Sequence, residues 1–299
     1  MLHNVTMSVS EVPPWVAARL GARAPGRGVQ EVLRTLATHP RQMSYASVQE
    51  AADLAEVNPA TVVRAAQLVG FSGWPQLRAE VRSRYLSLLS ASEVLQEHGE
   101  AQGAGESAVR QDLHNLRDLG TLLDEDQLAR VAAIIMAART TLVLGSGSFA
   151  APGLQLAHLA QTLGHDVRLE RAGGTALLNA FATLREGDAL VIFHLWRTPG
   201  DLLQIAGLAR DRGVRLVVVG DHARPGITAL ADEFVMVPSE GASIFPSLVP
   251  TVTVVQAVVA AIVAADPGAA TRATDAADEL WRDFGLFPRD KDGLLPEVQ

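Results

Sequence analysis

The sequence predicts a chain of two parts: an all-helical N-terminal domain with a helix-turn-helix, and a C-terminal α/β domain built on a doubly wound parallel sheet. The first third of the 299 residues places apolar side chains at helical spacing, with capping residues and prolines at the expected ends. From about residue 125 onward, short apolar runs alternate with helical segments. This alternation is typical of a parallel sheet that is covered on both faces.

The composition between the two parts sets the expected boundaries. The stretch 90–106 becomes polar and rich in Gly, Ala and Glu towards its end, as linkers are. The helical pattern that follows it is expected to bridge the two domains. The expected divisions are a helix-turn-helix domain at 1–90, a linker and bridging helix at 91–124, the α/β domain at 125–285 and a tail at 286–299.

The charge of the chain is unevenly distributed. The net charge of −8 argues against a protein that coats nucleic acid along its whole length. Residues 1–90, however, hold nine Arg against six acidic residues, a net charge of +3, whereas 91–299 hold 16 basic and 27 acidic residues, a net charge of −11. A small nucleic-acid-binding domain on an acidic body would show this asymmetry.

The absence of cysteine excludes disulfides, thiolate catalysis and a cysteine-based zinc site, and it fits a cytoplasmic location. The N-terminal sequence shows no basic flank followed by an apolar core, so we expect no signal peptide. The apolar segment Ser247–Ala265 approaches the roughly 20 residues that a membrane span needs, but Pro250, Thr251, Thr253 and Gln256 interrupt it. We expect a buried core helix or a dimer-interface helix there, and no membrane association.

Two short helices joined by a tight turn are predicted between residues 47 and 70. Ser47 followed by Glu50 forms a capping box at the start of the first helix. Asn58 is a good N-cap for the second helix, Pro59 suits its first position, and Gly70 ends it. This arrangement is that of a helix-turn-helix, whose second helix can enter the major groove with its N-terminus first.

The outer face of the second helix supplies the candidate DNA contacts. The small Ala60 permits close approach, Asn58 and Thr61 can reach phosphates or base edges, and Arg64 can donate to guanine or phosphate. A plain helical hairpin with a solvated outer face would have the same spacing, so the spacing alone leaves both interpretations open. The candidate DNA-binding residues are Ser47, Asn58, Ala60, Thr61, Arg64 and Gln67.

A ligand site is expected at the carboxyl ends of the predicted strands, which are Gly145–Ser148, His194–Thr198 and Gly220–Gly226. The first is a Gly-rich turn before a helix and can present backbone N–H groups to an anion. It can also be a tight turn without a ligand. It is not a dinucleotide fingerprint, because Ala150 stands at the third Gly position, and it lacks the lysine of a P-loop.

The sequence gives no support for catalysis or a metal site. The eight His residues lack metal-ligand spacing, and no Ser–His–Asp arrangement is readable. Glu240, in the segment PSEGAS, could act as a base in an enzyme or could be a solvated loop carboxylate. We expect no catalytic residue, no metal and no cofactor.

The N-terminal motif resembles the helix-turn-helix domain of the RpiR/MurR family of bacterial transcriptional regulators. The similar stretch is AADLAEVNPATVVRAAQLVGFSGWPQLR, residues 51–78. Asn58 replaces the serine that often precedes the recognition helix, and Glu56 occupies a turn position that is often Gly. The matching positions are Ala52, Val57, Thr61, Val62, Arg64, Gly70, Phe71 and Gly73.

The second half resembles the SIS (sugar isomerase) domain that this family carries. The similar segments are LVLGSGS at 142–148, Gly187–Leu190, Asp221, Ala229–Asp232 and Pro238–Ser247. In the family, the loop after the third strand often carries hydroxyl groups that hold a sugar phosphate. Here His194 and Trp196 stand at the places of two serines and Arg197 at the place of a glycine, so we expect either a small anion other than a common hexose phosphate or a closed pocket.

The resemblance implies a DNA-binding regulator whose SIS domain senses a small anionic metabolite, a sugar phosphate or another. It also implies a homodimer or homotetramer on double-stranded operator DNA. An SIS-type sugar-phosphate isomerase and a ligand-binding protein without DNA contact are the alternatives. The candidate ligand-binding residues are Gly145, Ser146, Gly147, Ser148, His194, Arg197, Thr198 and Glu240.

Overall fold

The computed structural model describes residues 12–98, 103–196, 199–223 and 225–286. The N-terminal part of these residues is helical throughout. Its helices are α1 (Pro14–Leu20), α2 (Arg27–Thr38), α3 (Pro40–Tyr45), α4 (Val48–Leu54), α5 (Pro59–Leu68) and α6 (Trp74–Leu88). The predicted all-helical domain is thereby confirmed.

Small side chains let the helices of the predicted motif cross closely. Ala51 and Ala52 of α4, and Ala65 and Ala66 of α5, are completely buried in one core with leucine and valine side chains of α2. The indole N–H of the buried Trp74 donates to the backbone carbonyl of residue 46 at 2.9 Å, which ties the start of α6 to the segment before α4. The two helices of the motif therefore sit rigidly in the domain.

Two helices connect this domain to the sheet: α7 (Ala91–His98) and α8 (Ala104–Leu122). The 19-residue α8 contacts both α6 and α14 (Val249–Ala265), a helix of the C-terminal domain. Val109 and Leu113, on its predicted apolar face, are exposed to solvent.

The C-terminal domain is a five-stranded, fully parallel sheet in the order β2-β1-β3-β4-β5. Its strands are β1 (Thr141–Leu144), β2 (Val167–Glu170), β3 (Ala189–His194), β4 (Arg215–Gly220) and β5 (Glu233–Met236). Its helices are α9 (Glu125–Ala137), α10 (Ala150–Thr162), α11 (Gly174–Ala182), α12 (Gly200–Asp211), α13 (Pro225–Thr228), α14 (Val249–Ala265) and α15 (Pro267–Phe284). The predicted doubly wound sheet is confirmed.

The strands bury both faces of the sheet. In register across β1, β3 and β4, Val143, Val191 and Val217 join the core formed with α9, α10 and α14. The preceding residues of these strands point to the opposite core, which contains Phe181 of α11 and Ile205 of α12. Strand β1 lies between β2 and β3: the chain goes from β1 to β2 on one side of it, and then crosses to β3 on the other side. The carboxyl ends of β1 and β3 therefore form the switch point at which ligands of such sheets bind.

The apolar segment that could suggest a membrane span forms α14. Val254, Val255, Val258 and Ile262 bury one face of this helix in the core of the C-terminal domain, as the expectation of a core helix requires. Among the described residues, no single helix is long and apolar enough to cross a membrane. Within these same residues, α14 and α15 taken together meet that test, but they bend by 108° at the break between them.

Candidate functional site

The turn of the helix-turn-helix is built by local hydrogen bonds. The predicted capping box is present: the Ser47 hydroxyl accepts from the Glu50 backbone N–H at 3.2 Å, and the Glu50 carboxylate accepts from the Ser47 backbone N–H at 2.7 Å. At the other end of α4, the N–H groups of Glu56 and Val57 donate to the carbonyls of Asp53 and residue 52, as in a Schellman motif. Glu56 holds the left-handed position of this motif with φ 51°, where glycine is usual.

The exposed face of α5 carries four of the six predicted DNA-binding residues. Asn58, Ala60, Arg64 and Gln67 are exposed. The Asn58 amide oxygen accepts from the Thr61 backbone N–H at 2.9 Å, which is the expected N-cap. The start of α5 thus combines an ordered cap with exposed polar and cationic side chains, as a helix that enters a DNA groove would require.

The other two predicted contacts have structural roles. The Thr61 side chain is only 5% exposed, so the expectation that it reaches DNA is corrected. Its hydroxyl donates to the Asn58 amide oxygen at 3.0 Å and accepts from the Arg64 guanidinium at 2.7 Å. Ser47 is exposed, but its hydroxyl is engaged in the cap of α4.

The start of α2 lies against the start of α5. A Cβ added at Gly28 would lie 3.1 Å from the Thr61 methyl group, so the two helix N-termini share one side of the domain. Arg27, the first residue of α2, is exposed beside them. Arg27 could not be found from the motif, because α2 lies outside it and only the tertiary packing brings Arg27 to this face.

At the carboxyl edge of the sheet, the Gly-rich loop after β1 is tightly wound. A Cβ added at Gly145 would lie 2.4 Å from the Phe149 carbonyl oxygen, so this position requires glycine. Gly147 has φ 58° and begins a 3₁₀ turn that leads into α10. Ser146 and Ser148 are exposed at this turn and present their hydroxyls to solvent.

His194 brings the end of β3 against this loop. It is buried, and its ring lies edge-on to the Phe149 ring with centroids 5.4 Å apart. The structure therefore brings together His194 and the predicted residues at 145–148. The predicted Arg197 and Thr198 lie outside the described residues.

A cavity of about 50 Å³ opens beside the first loop. Gly145 and Ser146 line it together with the loop after β2 and the start of α12. Its charged side chains are Glu170, Arg171 and Asp201. The polar groups available to a small ligand there are the Ser146 hydroxyl, one guanidinium and two carboxylates, since the Gly145 N–H already donates to the Glu170 carbonyl.

Glu240 lies elsewhere. It is buried rather than solvated, and it does not line the cavity at Gly145. Its carboxylate forms an ion pair with Arg82 of α6 and accepts from the Gln111 side chain at 3.2 Å, while its backbone carbonyl accepts from the Asn115 side chain at 2.7 Å. Glu240 lines a second cleft, of about 50 Å³, which residues of α6 and of the loop 238–246 also line. The expectation of one site that contains all the predicted residues is therefore corrected.

Trp196 and Asp221 connect the loops after β3 and β4. Trp196 has φ 68°, a strained conformation for a bulky residue, and its backbone N–H donates to the Asp221 carboxylate at 2.9 Å. Burial acts to raise the pKa of Asp221. Hydrogen bonds from His222, the Trp196 backbone and the Ser239 hydroxyl outweigh burial, so the pKa lies below its ordinary value of 3.8. Asp221 is thus a fixed carboxylate that orders this edge.

Metal-binding geometry is not found in the part of the chain that the structure describes. No group of three or more His, Asp or Glu side chains there is arranged to hold an ion. The eight His residues offered no metal-ligand spacing in the sequence either.

Comparison with known proteins agrees with both halves of this description. Residues 29–87 match the helix-turn-helix domain of the rpiR family. The chain is 25% identical over 207 residues to the HTH-type transcriptional regulator RpiR of Escherichia coli K12, and the aligned region covers 67% of this chain and 68% of that protein. The resemblance to the RpiR/MurR family is thereby confirmed.

Two solved structures share the fold. The sugar isomerase domain of an RpiR transcription factor from Sphaerobacter thermophilus aligns with a TM-score of 0.57 and 24% identity, over 60% of this chain and 99% of that one. The Vibrio vulnificus NanR protein complexed with ManNAc-6P aligns with a TM-score of 0.54 and 18% identity, over 92% of this chain and 100% of that one. The C-terminal domain therefore has the sugar isomerase fold.

Proposed function

We propose that this chain, which joins an rpiR-family helix-turn-helix domain to a domain of the sugar isomerase fold, is a DNA-binding transcriptional regulator that senses a small metabolite. The observation that carries the proposal is the exposed face of α5. Arg64 and Gln67 project from it beside an ordered N-cap, on a domain of net charge +3 attached to an acidic body. A cationic face on a short, capped helix fits the major groove of DNA.

The side chains of this face fall into two groups, one suited to base edges and one suited to phosphates. Arg64 is placed one turn into α5 and suits a guanine edge, which it can contact through two N–H groups. Asn58, at the helix start, and Arg27, at the start of α2, suit phosphate oxygens, which fix the position of the protein without reading sequence. Ala60 is small enough for the backbone of α5 to come close to the bases.

For the ligand, we propose a small anion of the sugar-phosphate class or another metabolite, bound beside the Gly145–Ser148 loop. The Gly-rich turn, the exposed Ser146 and Ser148 and the neighbouring Arg171 support this site, in which Arg171 has to offset the Glu170 and Asp201 carboxylates. The NanR structure named above contains a phosphosugar, which supports the same class. The sequence-based role of Arg197 in holding the anion remains a proposal, because Arg197 lies outside the described residues.

Ligand sensing fits this arrangement better than isomerase chemistry. An isomerase would need a base beside the sugar and hydroxyl groups on the phosphate. Glu240, the candidate base, is held by Arg82 in a different cleft from Gly145 and Ser146. A second copy of the chain, as a dimer or tetramer, would present paired recognition helices to a two-fold operator, and this too is part of the proposal.

The test is binding of the purified full-length protein to DNA from upstream of its own gene. Fluorescence anisotropy with a 200-bp fragment and with fragments of unrelated sequence at 150 mM salt separates specific from general binding. We expect at least a hundred-fold preference for one segment, and a dimer or tetramer by light scattering. Equal binding to all fragments, or isomerisation of sugar phosphates by the protein, would contradict the proposal.

A further inference from the structure

Helix α6 belongs to the N-terminal domain, but it holds three loops at the carboxyl edge of the sheet. The Glu80 carboxylate accepts from the Ala223 backbone N–H at 2.9 and 3.2 Å, and the Arg84 guanidinium donates to the Ala223 carbonyl. The indole N–H of Trp196 donates to the Leu86 carbonyl at 3.3 Å. Arg82 forms the ion pair with Glu240. The loops after β3, β4 and β5 are thus all attached to one helix of the helix-turn-helix domain.

These contacts are specific rather than adventitious surface contacts. Glu80 is 0% exposed, and its carboxylate is satisfied by the Ala223 N–H and by Arg84 at 2.6 Å. The Arg82 guanidinium stacks 4.4 Å from the centre of the Tyr45 ring. Buried charges are costly unless fully paired, so the docked position of the domain is well defined.

The cleft lies where the two domains dock. Arg82, Ser83 and Leu86 of α6 line it together with residues of the loop 238–246. Both partners of the Arg82–Glu240 ion pair therefore belong to the lining of the space that a ligand would enter.

If the domains separated, the surroundings of Arg82 and of Glu240 would change in different ways. Arg82 would move with α6 into water, where a guanidinium is well solvated. Glu240 would stay on the sheet and keep the Gln111 donor, but it would lose Arg82 and need a further hydrogen-bond donor in its place. The charged side chains that would remain in the lining are the carboxylates of Asp118, Asp221 and Glu240, and Trp196 and Phe245 line the same cleft.

We propose that this cleft binds the donor-rich hydroxyl or amino portion of a small polar ligand, such as a sugar or amino sugar, and that the ligand competes with Arg82 for Glu240. Occupancy then releases α6, and with it the helix-turn-helix domain, from the sheet. A released domain loses its fixed orientation towards an operator, so operator affinity falls. The effect on DNA rests on the proposed function, whereas the competition itself does not.

The first test measures backbone hydrogen exchange in Arg82→Gln, in Glu240→Gln and in the charge-exchanged variant Arg82→Glu/Glu240→Arg. Both single variants are expected to exchange at least ten-fold faster in α6 and in the loop 238–246, and the exchanged pair to recover part of this protection. The control is Arg110→Gln, which removes an exposed ion pair with Glu106 on α8 and should change neither segment. Unchanged exchange in both single variants would overturn the proposal. Arg82→Lys replaces Arg82→Gln if the latter does not fold.

The second test adds glucose, glucosamine or sorbitol, at millimolar concentration, to the wild-type protein. At least one is expected to speed exchange in α6 and to lower operator affinity, with no response in Glu240→Gln. Slower exchange in α6, or no response to any of the three compounds, would contradict the proposed ligand class. If the wild type binds no DNA but its exchange responds as described, the regulator function fails while the competition for Glu240 stands.

Discussion

The Arg64 guanidinium donates a hydrogen bond to the Thr61 hydroxyl at 2.7 Å, and this hydroxyl donates to the Asn58 amide oxygen at 3.0 Å. The cap of α5 and its exposed cation are therefore connected through one buried side chain. The guanidinium is pre-positioned on the helix surface, which reduces the entropy that it would lose on contact with DNA.

Replacing Arg64 with Ala should weaken operator binding by about 1–3 kcal/mol and relax sequence preference at one base pair. The fold should persist, because Arg64 is exposed. Fluorescence anisotropy on the operator and on its single-base variants measures both effects. Arg110→Ala, on α8, is the matched control and should bind as the wild type does. Unaltered affinity and specificity in Arg64→Ala would contradict its assignment to a base edge.

Glu56→Gly should stabilise the protein by about 1 kcal/mol, because φ 51° is strained for a residue with a Cβ. Urea unfolding measures the change. Glu56→Ala retains a Cβ and should not give the gain, so a similar increase in both variants would show that the Glu56 charge rather than its backbone is responsible.

Gly145→Ala should destabilise the protein by about 1–3 kcal/mol and weaken ligand binding at the first loop, because its Cβ would lie 2.4 Å from the Phe149 carbonyl oxygen. Thermal unfolding with and without added sugar phosphates reports both properties. Gly147→Asn is the control for the change in stability, since space is open around Gly147 and Asn tolerates its left-handed backbone. An equal loss in the two variants would argue against a special requirement at Gly145.

Asp221→Asn should lower stability at pH 7 by about 1.5–3 kcal/mol, because it removes a charged acceptor of three hydrogen bonds. The folded-state pKa of Asp221 is lowered, so its stabilising contribution is present above 3.8 and is lost as the pH falls through that lowered pKa. The difference in unfolding free energy between wild type and variant should therefore shrink below pH 4. A difference that stays constant from pH 7 to pH 3 would contradict this titration.

Sequence patterns predicted the elements whose causes are local. The capping box and the Asn58 cap depend on residues three positions apart, and the alanine-lined crossing joins two helices that follow each other in the chain; all are present. The same holds for the apolar strands and for the long helix α14. Periodicity could not predict the burial of Thr61, because the start of α2 covers it and only the tertiary fold brings Gly28 there.

The second cleft was beyond sequence reasoning for a similar reason. Glu240 and Arg82 are 158 positions apart in the chain, and neither belongs to a recognisable motif with the other. The bulk of Trp196 was readable from the sequence, but its hydrogen bond to the Leu86 carbonyl depends on how the domains dock. The sequence can show that a loop residue is unusual, but only the structure shows which residue it contacts.

The burial of Glu80 limits how freely the two domains of this chain can be exchanged with those of other proteins. A carboxylate on the helix-turn-helix domain has its hydrogen-bond donor, the Ala223 N–H, on the other domain. A chimera that grafts this domain onto a related body would leave Glu80 without that donor unless the loop after β4 were transferred as well. Recombination between members of such a family would thus have to respect the pairing of α6 with that loop, rather than only the boundary between the domains.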